Sequence, residues 1–448
     1  MKKSIILVLL TTLCMFSCSD NILDNDLNKS NSNQELELPS PKLNVNQAEI
    51  YASMFSSYLD ENDSPNAKTR STLDKEKVLD NIDYLIENGD TLLYSFNYKD
   101  NEGFIIIAGD NSSFPIIAHS NEGNFYFSSL DKDSPLNLFI SYYKNKVKKG
   151  ISNIEITDNE YYENWKYLGE EGYEYEIVPA NDEPIFVESR GRRENSSGKT
   201  SIYPYTGKDL NYWCQEGGYN YYTNSGTPIG CPAIAIGMLL YDTSERILGN
   251  TTSTYPSFGY YDMYNIKTVT GPTDTAKKLR QIADSIPNYS FKSAINGGSG
   301  ATPNDILTGL HRIGYKHAQL VSYNFETLYN NLSFKGYNYF GEETTFNRGV
   351  LIGAYGPYGG GHIWFCDGYY EQSYTVKRKL LGITIKTWNE YDDRLYMNWG
   401  WGPDGGNGWY CATENNIWTS LEGNPDNTYK YNPMMYTNLN YYENPQYY

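Results

Sequence analysis

The spacing of apolar and polar positions predicts a small mixed unit in the first half of the chain. Apolar residues within 45–59 recur every three or four positions, which predicts an amphipathic helix. Apolar runs at 92–98 and 104–109, joined by a polar turn, predict a hairpin. A second hairpin that turns at 121–123 and a capped helix at 134–150 follow. The pattern therefore predicts an α+β unit.

The second half combines a buried helix with further helices and strands. A nearly continuous apolar run at 231–240 predicts a helix that passes through a core and not over a surface. Helices are also predicted at 275–286 and 302–313. A strand at 349–355 then turns through glycines into a strand that carries His362.

Two connecting segments differ in character from these elements. Residues 188–200 are basic, rich in glycine and serine and without apolar period, which predicts an exposed, protease-sensitive linker. We expect activating cleavage between Arg190 and Lys199. Strand-like segments at 374–381 and 383–388 predict an extra hairpin after the His362 strand.

The first residues predict export. Residues 1–3 are charged and residues 4–15 are apolar, but the apolar stretch is too short to span a membrane. A small residue precedes Cys18, so we expect a signal peptide at 1–17 and a lipidated Cys18 that holds the protein at a membrane of the cell envelope or surface. An ordinary secretory signal is the alternative. Residues 18–44 lack a period and are interpreted as a lipidated tether.

Composition narrows the expected partners. The chain has 448 residues, a formal net charge of −18 and a pI of about 4.7, which argues against nucleic acid as a partner. Its cysteines are too scattered for a disulfide scaffold, although Cys214 and Cys411 could pair. No spacing typical of a metal site occurs, so we expect no metal and no cofactor.

Cys231 is the first candidate for chemistry, because it stands at the start of the apolar helix. Pro232 suits the first helical position, where its missing N–H is not needed. The helix N-terminus favours a thiolate, so we expect Cys231 to be a nucleophile with a lowered pKa. A cysteine beside an apolar run is more often only a packed core residue. A catalytic partner would decide between the two interpretations.

His362 supplies such a partner. It follows Cys231 by about 130 residues, within the separation of a papain-like cysteine and histidine, and it comes after three glycines. Asn398 and Trp399 lie in Asn-Trp-Gly-Trp-Gly, where an amide oxygen could orient the imidazole and an indole could cover it. His119, by contrast, has no acidic, thiol or hydroxyl partner in its strand and is expected to be structural.

These three motifs together resemble the streptopain family of secreted cysteine peptidases. The resemblance implies an α+β fold with a papain-like, two-lobed peptidase domain at 201–448, preceded by a small α+β propeptide domain at 45–187. It implies that Asn398 orients His362, that Trp399 shields the pair from water, and that Gln215 helps to stabilise the oxyanion. The family's cleft implies substrate-binding residues that include Gly300, Thr302 and Gly361.

The resemblance extends to the first unit, since residues 103–116 are similar to the propeptide of streptopain-like zymogens. Such a domain is expected to fold the enzyme, to inhibit it and to block its cleft. A free-standing adhesion or inhibitor module would have much the same sequence.

The sequence thus predicts a thiol endopeptidase made as a zymogen, with proteins or peptides as substrates and its own propeptide as inhibitor. Two alternatives stay open. One is a surface-binding lipoprotein that keeps a peptidase fold for recognition alone. The other is a transglutaminase or amidase with the same Cys-His chemistry and a different acceptor.

Overall fold

The structure is a computed structural model. It describes residues 42–62, 77–111, 114–130, 134–152, 160–179, 200–202, 210–223, 226–246, 272–292, 298–337, 343–347, 349–355, 361–411 and 433–439. Cys18, the predicted signal peptide and nearly all of the predicted linker lie outside these residues, as does most of the tether.

The first part of the chain contains three helices and five strands. The helices are α1 (Val45–Asn62), α2 (Pro135–Ser152) and α3 (Glu160–Trp165). The strands are β1 (Leu79–Glu87), β2 (Asp90–Tyr98), β3 (Phe104–Ala108), β4 (Ile116–Ser120) and β5 (Tyr173–Pro179). Leu43 is buried against this unit, so packed structure begins before Val45.

The rest of the described chain adds four helices and nine strands. The helices are α4 (Cys231–Arg246), α5 (Asp274–Ser285), α6 (Pro303–Ile313) and α7 (Phe325–Asn331). The strands are β6 (Thr200–Ile202), β7 (Gln319–Ser322), β8 (Ser333–Tyr337), β9 (Glu343–Asn347), β10 (Val350–Tyr355), β11 (Gly361–Leu380), β12 (Ile383–Asn398), β13 (Gly408–Tyr410) and β14 (Met434–Thr437). No described helix is both long enough and apolar enough to cross a membrane.

One sheet of twelve strands joins the two parts of the chain. Its order is β1-β2-β3-β4-β13-β12-β11-β10-β14-β7, with β5 and β6 also paired to β11. All of these pairings are antiparallel. The two parts meet where β4 pairs with β13, through His119 opposite Trp409 and Ala118 opposite Tyr410. The fold is therefore α+β, as predicted.

Alternation along β11 sends its side chains into two different cores. Trp364 and Cys366 belong to a core that α2 and α7 help to build, whereas Ile363 and Phe365 pack with α4 and α5. Cys366 is fully buried, as the period-two pattern predicts. The strand that carries His362 is thus fixed from both faces.

The first part differs from the predicted pattern in two places. The predicted strand around Phe125 is replaced by a turn, because the Asn97 side chain accepts from the Phe125 N–H at 2.7 Å and donates to its carbonyl at 3.0 Å. A side-chain amide there takes the place of a neighbouring strand. Strand β1 has no counterpart in the predicted pattern: it is an edge strand with exposed and acidic positions, which weakens the apolar signal.

Candidate active site

Cys231 is the first residue of α4, directly after a glycine that no other residue could replace without strain. Gly230 has a φ of +97°, in the left-handed region. A Cβ on Gly230 would lie 2.3 Å from the Tyr289 hydroxyl oxygen and 2.6 Å from the Ser299 carbonyl oxygen. Pro232 occupies the second position of the helix. The close approach at Gly230 lets the chain turn sharply and present Cys231 at the helix tip.

The Cys231 thiol is protonated at neutral pH in this conformation. Burial raises its pKa to about 11, and the smaller, opposing effects are hydrogen bonds from the backbone N–H groups of Ile363 and of Cys231 itself. The sulfur lies 4.0 Å from the Gly361 carbonyl oxygen. The expected lowering of the pKa by the helix N-terminus is therefore not observed, because desolvation outweighs it.

The imidazole of His362 is held by a backbone carbonyl. Its Nε2 lies 2.8 Å from the Trp399 carbonyl oxygen. A carbonyl oxygen can only accept, so Nε2 carries the proton and the lone pair of the neutral ring lies on Nδ1. This is the tautomer that a general base acting through Nδ1 requires.

The tryptophan that covers the imidazole is Trp401 and not Trp399. The rings of His362 and Trp401 are stacked, with centroids 4.6 Å apart and planes 29° apart. Trp399 is fully buried beneath, where its Nε1 donates to the Gly406 carbonyl at 3.2 Å. The role predicted for the Trp399 indole thus passes to Trp401, while Trp399 contributes its carbonyl oxygen.

Asn398 likewise does not hold the imidazole in this structure. Its side-chain oxygen accepts from the Gly400 N–H at 3.1 Å, and its Nδ2 is buried without a partner among the described residues. The Asn398 side chain instead fixes the turn after β12, from which the Trp399 carbonyl reaches His362. The predicted direct contact is replaced by a backbone one.

Cys231 and His362 line one cleft of about 310 Å³, although no hydrogen bond joins the thiol to the imidazole. The three residues predicted to bind substrate, Gly300, Thr302 and Gly361, all line the same cleft. The structure therefore brings the predicted nucleophile, base and substrate contacts to one place.

The outer wall of the cleft is built by a short ladder that the sequence pattern did not indicate. Ser290 and Gly300 exchange two backbone hydrogen bonds of 2.9 and 3.0 Å. The next turn is capped by Thr302, whose hydroxyl accepts from the Asp305 N–H at 3.3 Å. The Thr302-Pro303-Asp305 capping pattern marked the helix start, whereas the pairing of Ser290 depends on the fold.

Gln215 lies on a segment tied to the residues before the nucleophile. Its backbone carbonyl accepts from the Ile229 N–H at 2.9 Å. Its half-buried side-chain amide makes no hydrogen bond to a described residue and does not line the cleft. The predicted oxyanion role for Gln215 is not assembled in this conformation.

The first part of the chain contacts the loop that carries the two tryptophans. A Cβ on Gly123 would lie 2.1 Å from the Pro403 carbonyl oxygen, so the two backbones touch. Phe125 and Leu136 pack against Gly406, where an added Cβ would lie 3.3 and 3.1 Å from them. None of the described residues that line the cleft belongs to 45–187. The expected blocking of the cleft by these residues is therefore not seen.

The remaining cysteines do not form the pair considered from the sequence. The Cys411 sulfur donates to the Ile116 carbonyl at 3.3 Å, and the Cys214 sulfur donates to the Glu216 carbonyl at 3.4 Å. Among the described residues no group of three or more His, Cys, Asp or Glu side chains could hold a metal ion.

Comparisons with known proteins bear on the first part of the chain. Residues 40–147 match the family model described as Spi protease inhibitor. No curated protein matches the sequence. A solved fragment of prointerpain A from Prevotella intermedia aligns at 14% identity, covering 81% of this chain and 99% of that one, with a TM-score of 0.42. The family match begins before the predicted boundary at 45, in agreement with the burial of Leu43.

Proposed function

We propose that this protein is the zymogen of a cysteine endopeptidase. The observation that carries the proposal is the shared cleft, in which Cys231 at a helix tip and His362 with its lone pair on Nδ1 stand together. The Spi protease inhibitor match at 40–147 supports a protease precursor. In this proposal residues 45–187 are the propeptide and 201–448 form a two-lobed, papain-like peptidase.

Catalysis begins when Nδ1 of His362 accepts the proton of the Cys231 thiol, and the resulting thiolate attacks the scissile carbonyl carbon. The imidazolium then gives its proton to the leaving amine, and water hydrolyses the acyl-enzyme. The Trp399 carbonyl keeps the proton on Nε2 throughout. Stacking on Trp401 restricts the ring and excludes water from that face.

The negative charge on the substrate oxygen would be stabilised at the N-terminus of α4. The backbone N–H of Cys231 is one donor there, and the Gln215 side chain is the second donor in the proposal. One such donor contributes roughly 3 to 4 kcal/mol to transition-state stabilisation. Recruitment of Gln215 requires its segment to move toward the cleft.

Latency has an electrostatic basis in the proposal. The Cys231 thiol is protonated and is not hydrogen-bonded to His362. The first part of the chain packs on the 399–407 loop, which holds the imidazole through Trp399 and Trp401. The propeptide thus inhibits by holding this loop, and its removal allows His362 to meet Cys231.

The proposal also includes export and activation. We retain cleavage of the signal peptide at 1–17, lipidation of Cys18 and a tether at 18–44, with activating cleavage inside 188–200. These steps rest on the sequence patterns described above.

The decisive experiment is labelling of the full-length chain before and after processing with an epoxide inhibitor of thiol peptidases. We expect covalent labelling only after processing, at Cys231, and none in Cys231→Ala processed with trypsin. Cys366→Ala is a matched control that keeps Cys231 and should label normally. Equal labelling of wild type and Cys231→Ala would overturn the assignment.

Product analysis separates the competing functions. Casein incubated with the processed chain and an added primary amine should yield new peptide termini without incorporated amine. Incorporation of the amine would instead indicate a transglutaminase. Failure to change casein at all, with an intact Cys231, would leave a surface-binding protein on a peptidase fold.

A further inference from the structure

The outer part of β11 carries a strand-binding edge that the first part of the chain occupies. Strand β5 pairs with it antiparallel over seven positions, from Tyr173 opposite Leu380 to Pro179 opposite Tyr374. The other edge of β11 is paired with β12 along the same stretch. This part of the β11–β12 hairpin therefore has one edge that depends on β5 for its backbone partners.

One face of this pairing is electrostatic. Glu176 lies opposite Lys377 in the register and also contacts Lys379, at 3.7 and 2.8 Å respectively. Glu174 lies opposite Lys379. The hydrogen bond from Lys379 lowers the pKa of Glu176 below its ordinary value. In a chain with a net charge of −18, these lysines form a local basic face that matches the acidic residues of β5.

The opposite face of the pairing is aromatic and aliphatic. Ile177 lies opposite Val376, and both pack in one core with Trp388. Tyr175 lies opposite Arg378 and its ring contacts Trp388, with centroids 6.2 Å apart. The β11 edge thus accepts a strand in which acidic residues alternate with aromatic or aliphatic ones.

The partners of this part of the hairpin come from the segment that would leave on activation. In the core that contains Tyr374, Val376 and Trp388, all other fully buried members lie between Leu43 and Leu168. Their departure would expose a basic and aromatic edge on β11. Exposed strand edges of this kind bind extended peptides through backbone hydrogen bonds, with side-chain pockets that confer specificity.

We propose that the 374–380 edge of β11 is a substrate-docking site of the processed enzyme, and that β5 occupies it in the zymogen. The site binds an extended segment of a protein substrate in which acidic and aromatic or aliphatic residues alternate. This inference rests on the proposed function, because the edge is vacated only if residues 45–187 are released.

The binding test uses a fluorescent peptide with the β5 sequence, Tyr-Glu-Tyr-Glu-Ile-Val-Pro, and fluorescence anisotropy. The processed chain, with Cys231 capped by the epoxide, should bind it, and the unprocessed full-length chain should bind at least tenfold more weakly. A peptide with lysine in place of both glutamates should also bind at least tenfold more weakly. Equal binding of the two peptides by the processed chain would overturn the proposal.

Variants of the edge provide the second arm. Lys377→Glu combined with Lys379→Glu should weaken binding of the acidic peptide at least tenfold and should favour the lysine peptide. Lys386→Glu, on β12 beside Trp388, is the matched control and should bind like the wild type. If the double variant binds both peptides as the wild type does, the edge is not the docking site.

Turnover distinguishes failure of this inference from failure of the proposed function. The double variant should cleave a short fluorogenic peptide normally, but its KM for a protein carrying the acidic segment should rise about tenfold with kcat unchanged. Loss of the KM difference with normal cleavage of the short peptide would refute only the docking site. A wild-type processed chain that cleaves neither substrate would refute the proposed function.

Discussion

Two histidines on one sheet show how surroundings decide what an imidazole can do. His362 on β11 donates from Nε2 to the Trp399 carbonyl and lines the cleft. His119 on β4 also has its Nε2 bonded, at 3.1 Å from the Tyr370 hydroxyl oxygen, but it is only 2% exposed. Its Nδ1 is buried without a partner. The two rings therefore differ in access, and only the first can meet a substrate.

The charges around His119 make the difference sharper. The Tyr370 hydroxyl donates to Asp392 at 2.8 Å, and the same carboxylate oxygen accepts from the Arg394 Nε at 2.9 Å. Burial lowers the pKa of His119 well below its ordinary value, and the positive charges of Arg394 and Lys77 lower it further. His119 is thus a neutral ring at the junction of the two parts, where a proton would be costly.

The largest expected contrast is in activity. His362→Ala should lower kcat/KM of the processed chain by about ten-thousandfold, because it removes the general base. His119→Gln should leave kcat/KM within about twofold, since that ring does not touch substrate. Rates are measured on a fluorogenic peptide and normalised by active-site titration. A comparable loss in His119→Gln would break the distinction between the two sites.

A second contrast concerns the thiol before and after processing. With its pKa raised to about 11, Cys231 in the zymogen should react with iodoacetamide at pH 7.5 about a hundredfold more slowly than a free thiol. Processing should accelerate alkylation and shift its pH dependence to lower pH, since an imidazole then stabilises the thiolate. Mass spectrometry of the Cys231 peptide measures both rates. Fast alkylation of the intact zymogen would contradict the protonated thiol.

The smallest expected effect is on stability in acid. Because the pKa of His119 is lower in the folded zymogen than in the unfolded chain, its neutral form is favoured by folding. Stability is therefore lost as pH falls below about 6.5, by up to about 1.4 kcal/mol per pH unit, until the lowered pKa is reached. His119→Gln should remove this loss, as measured by denaturant unfolding between pH 7 and pH 5.

The control for this prediction is the difference between wild type and variant, not either curve alone. Burial raises the pKa of Glu390 to about 7, so its contribution to stability grows as pH falls through the same range. That contribution is common to both proteins and cancels in the difference. Parallel curves for wild type and His119→Gln would show that His119 is not the source.

Local chemistry made several parts of the site predictable. Pro232 marks the start of α4 because it fits the first turn, and Thr302 with Asp305 marks the start of α6 through a side-chain cap. The alternation along β11 placed Cys366 in a core. These signals depend on residues close together in sequence.

The contacts of His362 could not be derived in the same way. Asn398, Trp399 and Trp401 were all visible in the sequence, but the turn that follows β12 decides which atom meets the ring. That turn passes through Gly400 and Gly402 with φ of +72° and +82°. A choice between a side-chain amide, a backbone carbonyl and an indole depends on this local geometry and on strands far apart in the chain.

Pairing between β4 and β13 was beyond the reach of a periodicity argument for a related reason. The alternation of apolar residues identifies a strand, but it does not identify the strand's neighbour. The partners here, Ala118 and Tyr410, are separated by most of the chain. Only the assembled sheet shows that the two parts share one hydrogen-bonded ladder.

That shared ladder separates two events that are often treated as one. Hydrolysis of a peptide bond in the 188–200 segment would leave the β4–β13 contacts and the Cys411 N–H to Ile117 carbonyl bond of 3.1 Å untouched. Under the proposed function, the severed fragment remains a bound inhibitor until it dissociates. Because rebinding is bimolecular, dilution after cleavage should hasten the onset of proteolysis.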